Sequence, residues 1–280
     1  MLLDVTGVSP SSYYYERKAL KKPDKYACLR PLIRAISDSS NQTYGSPRIW
    51  IYLRRRGIYV SEKVIRRLMK EEKIVVHYAT RKRKYSSYIG EITPAVENKV
   101  RGNFHASSPN TLWLTDITEF SVCGTKVYLS PMIDCFDGQV VAWETSRHPD
   151  SMLVSSMLEK AIKTVSEKKR EEPTNRQTAL TIHTDRGGHY RGGEWIERLD
   201  GLGITRSMSR KGNSGDNAAC EGFFGRMKTE MFYGRKWTSP EELERAIANY
   251  IFFYNNERIR ISLGGMSIRE YREQLEKVSK

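Results

Sequence analysis

The most regular pattern of apolar and polar positions lies in residues 46–74, SPRIWIYLRRRGIYVSEKVIRRLMKEEKI, which run at helical spacing and break once, at Gly57. Ser46 can cap a first helix, with Pro47 at the opening position where a missing N–H costs nothing. Gly57 ends that helix, and Ser61 with Glu62 opens the next. In the second helix Val64, Ile65, Leu68 and Met69 form an apolar stripe, leaving Lys63, Arg66, Arg67 and Lys70 on the other side. Two helices joined through a glycine-containing turn, the second one basic, predict a helix-turn-helix. A plain helical hairpin with a solvated basic face satisfies the same pattern.

From His77 to Arg101 the periodicity is lost. After Pro109 the runs become short and rich in β-branched and aromatic residues: LWLTDITEF, KVYLSPMIDCF and QVVAWET, separated by turns at Gly124 and Gly138. These predict a three-strand antiparallel meander. A helix over about 151–168, a polar loop to about Arg176, a strand at ALTIHTD, a helix from near Gly193, a strand at ITRSMS and a long helix from about Asn217 follow. From Pro240 onward the pattern is helical except around NNERIRISLGGMS. Strands first and helices mixed in later predict an α/β layered domain with a mixed sheet. No internal repeat is visible.

Charge sharpens this division. The chain of 280 residues carries a formal net charge of +14. Residues 1–105 hold 22 Lys and Arg against 9 Asp and Glu, and residues 106–280 hold 25 against 24. Nearly all the excess sits in the first part, as expected if that part grips a polyanion while the second carries chemistry needing its own acids. The run RKRKYSSY, with Arg81, Lys82, Arg83 and Lys84 ahead of Tyr85 and Tyr88, reads as a linker that tracks phosphates and stacks on bases or sugars. A solvated tether is its plainer reading. The expected plan is therefore a helical DNA-binding region over 1–76, a basic linker over 77–105 and an α/β catalytic domain over 106–280.

Composition excludes other classes. No apolar run approaches the roughly 20 residues of a membrane helix, and the first residues, MLLDVTGVSPSSYYYERKAL, lack the pattern of an export signal. Cys28, Cys123, Cys135 and Cys220 form no CxxC pair, and the five histidines do not combine with them at zinc-finger spacing. Reduced thiols and no structural zinc are expected.

The chemistry then falls to carboxylates. Asp116 lies in a strand among Leu112, Leu114, Ile117 and Phe120, where an unpaired acid is costly unless it is exposed or metal-bound. A lone strand aspartate is more often structural than catalytic. Asp185 ends ALTIHTD, and Gly187 and Gly188 let the backbone turn away at the sheet's C-terminal edge, where active groups gather. Glu221 sits in SGDNAACEGFFGRMKTEMF, on a helix that Asp216 or Asn217 can cap, after a KGNSG stretch suited to a lid. Glu221, Gly225 and Lys228 share one helical face. Asp116, Asp185 and Glu221 together form a hard oxygen set suited to Mg²⁺ or Mn²⁺, typically two ions, for in-line phosphoryl displacement, with Lys228 on a nearby phosphate.

These residues resemble a known family. The 35 residues from 186 to 220 give the spacing of the DD(35)E signature shared by retroviral integrases and insertion-sequence transposases. HTDRGGHY resembles that family's HSDRGSQY-type segment, and Glu221 with Lys228 matches its seven-residue offset. LWLTDITEF, VYLSPMIDCFDGQVVAW, YNNERIRISLGGMS and the helix-turn-helix segment resemble the second-frame product (OrfB) of IS-three-type insertion sequences across essentially the whole chain.

The resemblance implies an RNase H-like mixed sheet flanked by helices, preceded by a small all-α helix-turn-helix domain. It further implies 3′-end cleavage of element DNA, attack of the freed 3′-OH on a phosphodiester, and joining of the element's ends through a circular intermediate. Implied partners are the element's terminal inverted repeats, target DNA, further copies of the chain on DNA and the upstream-frame product; the implied setting is the bacterial cytoplasm and nucleoid. Gly188 and His189 depart from the commoner Ser and Gln, and Arg260 and Ile261 stand where relatives often carry a His, so no catalytic role is assigned there. A nuclease without strand transfer, or a DNA-binding regulator with a vestigial site, would use the same residues.

Overall fold

Of the apolar stripe expected on the basic helix, Ile65, Leu68 and Met69 are buried and Val64 is half-buried. In the structure, a computed structural model describing residues 9–20, 23–77, 96–171, 180–210 and 217–278, the chain divides into two compact units, Met1–Val76 and His77–Lys280. In the first unit α1 (Pro10–Leu20) precedes three helices, α2 (Leu29–Ser39), α3 (Ser46–Arg55) and α4 (Glu62–Glu71). Ile33 and Ile36 of α2, Ile49 and Leu53 of α3 and Ile65 and Leu68 of α4 are buried together as its core.

The turn between α3 and α4 is helix-turn-helix in build. Gly57 takes a φ of 76°, and the Ile58 N–H donates back to the Leu53 carbonyl at 3.0 Å, a closure that favours glycine. Ser61 caps α4 by accepting from the Val64 N–H. Ser46, however, is not the cap of α3. Gly45 holds that place, and the Ser46 hydroxyl instead donates to Glu62 at 2.9 Å, tying the two helix starts together. Helices α1 and α2 have no counterpart among the sequence expectations. Helix α2 fastens α4 from behind, with Arg30 on Glu71 and Glu72 and Arg34 on Glu72.

The second unit is built on a mixed sheet, six-stranded among the described residues: β1 (Leu112–Thr115), β2 (Thr118–Val122), β3 (Thr125–Asp134), β4 (Val140–Ser146), β5 (Thr181–Thr184) and β6 (Thr205–Met208). Strands β1 and β2 pair antiparallel with the same edge of β3, and β4 takes its other edge. On the far side β1 pairs parallel with β5, and β5 with β6.

Side chains alternate across this sheet. Leu114, Phe120, Val122, Val127 and Leu129 face one layer, with α7 (Ala218–Met227) and α8 (Pro240–Asn256) over them. Trp113, Met132 and Ile182 face the other, under α5 (Ser151–Glu171) and α6 (Gly193–Gly201). Helix α9 (Ile268–Val278) closes the chain, its Arg272 buried on Asp134 and Asp137 at 2.7 and 2.6 Å.

LWLTDITEF is not one strand but two, interrupted at Asp116 and Ile117. The register is continuous through the gap: Thr115 lies opposite Met132 and Thr118 opposite Leu129, which leaves Asp116 opposite Pro131. Along β3 the Cys135 N–H points to Leu112 and the Asp134 N–H to Gln139, so alternation turns position 131 toward Asp116. A proline there has no N–H to give. The ladder opens at the acid.

The segment expected as linker also differs at its C-terminal end. Residues 96–105 attach to the second unit, the Lys99 N–H donating to Ser207 at 3.0 Å and Phe104 packing edge-on to His183. Arg81, Lys82, Arg83, Lys84, Tyr85 and Tyr88 lie outside the described residues, as does the KGNSG stretch at 211–215.

Candidate active site

Strand register places the two aspartates. Leu112, Trp113 and Leu114 of β1 stand beside Thr181, Ile182 and His183 of β5. One further step of two along each strand from Leu114 and His183 reaches Asp116 and Asp185. Both therefore leave the C-terminal ends of adjacent parallel strands, on the pleat face that Leu114 shares with the α7 layer. The open ladder beside Pro131 leaves the Asp116 region out of the regular sheet, and the Asp116 carboxylate accepts from the Ile117 N–H at 2.7 Å.

Asp185 is held by a tight turn. Its Oδ1 accepts from the Gly187 N–H at 2.8 Å, and a Cβ at position 187 would stand 2.9 Å from the same oxygen. Glycine is needed at 187 for this close approach rather than for an unusual backbone angle. Space around Gly188 is open. Beneath the pair, Tyr190 is fully buried, its hydroxyl 3.4 Å from Thr115 Oγ1. His183 is buried between Ser207 at 2.8 Å and Ser209 at 3.1 Å. These contacts pin β5 to β6 under the acids.

Helix α7 brings the third acid. Cys220, Phe223, Phe224 and Met227 bury one face of it against the sheet, which leaves Glu221 exposed in its first turn. Asn217 stands at the N-cap position but makes no capping bond. Its side-chain N–H groups turn to the sheet instead, and Nδ2 donates to Asp116 Oδ2 at 2.9 Å. By sequence Asn217 is only a candidate cap. Its spacing, four residues before Glu221 and hence on the same helical face, is the signal that marks it.

Electrostatics couple the three acids. The Asp116 carboxyl is pushed up to about 7, first by burial, then by the charge of Asp185 and, more weakly, of Glu221; the N–H groups of Ile117 and Asn217 work against the rise. A carboxylate disfavoured by burial and like charges is the environment that a bound cation relieves. Three carboxylates are hard oxygen donors of the kind Mg²⁺ and Mn²⁺ prefer. Among the described residues, no three acidic, histidine or cysteine side chains are close enough to hold one ion together. The structure thus aligns Asp116 and Asp185 and keeps Glu221 within electrostatic range without closing the set.

Lys228 does not continue the α7 stripe. Helical phase changes there into a π turn, Lys228–Phe232, and the Lys228 ammonium lies 5.1 Å over the Phe120 ring; the Glu119 carboxyl is lowered chiefly by its hydrogen bond from Lys126, with Lys228 adding least. In the first unit Lys63, Arg66, Arg67 and Lys70 are all exposed on α4. Arg66 pairs with Glu62 at 2.6 Å, and Arg67 pairs with Glu71 at 3.5 Å and stacks on Tyr26.

Family models match three stretches: an HTH-like domain over residues 24–85, and an integrase core domain over 106–214 and again over 221–275. The putative transposase InsK of element IS150 from Escherichia coli (strain K12) is 38% identical over 273 residues, spanning 98% of this chain and 93% of that protein. The chain belongs to the insertion-sequence transposases.

It carries their RNase H-like integrase core and helical HTH-like domain, and its enzyme class is that of polynucleotidyl transferases. The probable transposase of element IS1353 from Shigella flexneri is 49% identical over 264 residues; the chain spans about half of that relative's length. Transposase InsF of IS3A from Escherichia coli (strain K12) is 31% identical over 241 residues, covering 86% of this chain and 80% of that protein. Among solved structures, the HTLV-2 integrase catalytic core domain is similar at a TM-score of 0.41 and 18% identity, over 60% of this chain and 99% of that one. Among the described residues, no helix is long and apolar enough to cross a membrane.

Proposed function

We propose that this transposase cuts the 3′ ends of its insertion sequence and joins them to a second phosphodiester, using Asp116, Asp185 and Glu221 to hold two Mg²⁺ or Mn²⁺ ions. The observation that carries this reading is the register match of Asp116 and Asp185 beneath the helix bearing Glu221. The exposed Glu221 side chain is free to change rotamer and close the set. When bound, the ions would supply activation of the attacking oxygen and stabilisation of the leaving one.

In the first reaction a water oxygen bonds to phosphorus as the bond to the 3′-oxygen breaks, freeing a 3′-OH. In the second that 3′-oxygen attacks another phosphodiester, and its proton leaves as the displaced oxygen gains one. The protein positions both strands and supplies charge. Lys63, Arg66, Arg67, Lys70 and the 81–84 run serve phosphate contact at the terminal repeats, and Lys228 serves it near the reacting bond. Residues 1–76 act as the DNA-binding region and 106–280 as the catalytic region, with 77–105 as the basic segment between them, its last residues packed on the catalytic region. The chain works as a homo-oligomer on DNA, with the upstream-frame product as a partner, in the cytoplasm and on the nucleoid.

The test supplies the chain, with and without the upstream frame, to labelled DNA ends from its own element. Divalent-ion-dependent 3′ cleavage and joining of a pre-cut 3′-OH end are expected. Cleavage without joining would leave only a nuclease. Cleavage that survives Asp116→Asn, Asp185→Asn and Glu221→Gln would show the site to be elsewhere.

A further inference from the structure

Asn217 has one half of its amide engaged and one half orphaned. It is 5% exposed, its Nδ2 donates to Asp116 Oδ2 at 2.9 Å, and its Oδ1 is buried without a hydrogen-bond partner among the described residues. Buried amide oxygens without a donor are rare because they lose their hydration for nothing in return. The reverse orientation of the amide would set oxygen against the Asp116 carboxylate, so the donor side belongs toward Asp116. Nor does the residue earn its place as a cap, since its side chain makes no bond to the start of α7.

Its position is informative. Asn217 lies one helical turn before Glu221 and in contact with Asp116, so it connects the sheet acid to the helix acid. An amide oxygen left without a donor, two covalent bonds from the nitrogen that holds Asp116, is a hard acceptor suited to the O–H groups of a hydrated divalent cation, which keeps several of its waters. Neighbours that orient ligands in this way set metal affinity as well as geometry.

We propose that Asn217 is a positioning residue of the metal site: its N–H fixes the Asp116 carboxylate, and its orphaned Oδ1 accepts a hydrogen bond from a water of the bound cation. This rests on the metal-dependent reading of the three acids. It adds a fourth side chain that neither charge nor strand placement would single out. It also gives the start of α7 a task distinct from capping, namely to register Glu221 against the ion on Asp116.

The experiment measures Mn²⁺ binding to the full chain by electron paramagnetic resonance of the free ion, together with metal-free thermal midpoints. Wild type, Asp185→Asn, Asn217→Ala and Asn217→Ser are compared. Both Asn217 variants should bind Mn²⁺ about 10- to 100-fold more weakly than wild type, with metal-free midpoints that change little, because truncation removes an unsatisfied oxygen together with the bond to Asp116; serine keeps the fold in hand if alanine does not. Lowered midpoints with wild-type Mn²⁺ affinity would make Asn217 merely structural and overturn the inference alone. If Asp185→Asn binds Mn²⁺ as wild type does, the metal site itself is misassigned and the inference falls with it.

Discussion

Asp116 and Asp185 each stand two residues past a paired position on neighbouring parallel strands, since the β1–β5 pairing sets Leu114 beside His183. The pairing of the strands below them brings the two acids to the same sheet edge. Replacing either by Asn should remove DNA cleavage by a factor of at least about 10³, on the scale of losing a group that organises transition-state charge. Circular dichroism and gel filtration should be unchanged. Glu221→Gln should lose cleavage with still less effect on folding, because its side chain is exposed. Retained cleavage in any one of the three would remove that residue from the site.

A second expectation concerns pH in metal-free buffer. Asp116 is pushed up to about 7 in the folded chain, against roughly 3.9 for an unfolded aspartate. Folding therefore favours the protonated acid. The associated stability is complete below about pH 4 and is lost as pH rises toward 7, with a ceiling of roughly 4 kcal/mol. Carboxylates elsewhere that are lowered by arginine and lysine partners, such as Glu72 and Glu119, act in the opposite sense. The comparison that isolates Asp116 is wild type against Asp116→Asn. Their midpoints should converge near pH 4, and the variant should become the more stable by pH 8. A pH-independent difference would refute the assignment.

The sequence exposed what depends on short-range pattern. The α4 stripe, the β3 and β4 runs and the Gly57 turn follow from period and turn chemistry, and the acids stand out because a strand centre is costly for Asp116, Asp185 ends a strand at the edge where active groups gather, and Glu221 shares a helical face with Lys228. What stayed hidden depends on partners distant along the chain. Helix α2 is legible locally, with Leu29, Ile33 and Ile36 at helical spacing, whereas its ties to Glu71 and Glu72 through Arg30 and Arg34 involve residues some forty positions away. The break inside LWLTDITEF could not be read locally either, because Pro131 causes it from the opposite strand. Asn217 looked like a cap since the competing acceptor, Asp116, is 101 residues off.

Salt dependence should separate the exposed cations of α4. Lys63 and Lys70 form no ion pair among the described residues, whereas Arg66 and Arg67 are shared with Glu62 and Glu71. Unshared cations release counterions fully when they meet phosphate, about 0.9 of a logarithmic slope each. The double variant Lys63→Ala/Lys70→Ala should thus flatten the plot of log affinity against log salt by nearly 2 on element-end duplex. An unaltered slope would place the phosphate contacts on another face.

Pro131 is the residue whose replacement should repair the sheet at the expense of the site. Its ring removes the one N–H that the alternation of β3 aims at Asp116, and β1 and β2 are consequently separate strands in otherwise continuous register. Alanine at 131 restores a donor. The Asp116 carbonyl would then be drawn into the ladder, and the Asp116 carboxylate, now fixed by the Ile117 N–H outside it, would move with the backbone. Hydrogen exchange at 116 and 117 should slow, and the thermal midpoint should hold or rise. Cleavage should fall on the order of 10- to 100-fold, the scale expected when a reacting group is displaced by about 1 Å. Faster exchange with normal cleavage would mean that the break in the strand has another cause and that the acid does not depend on it.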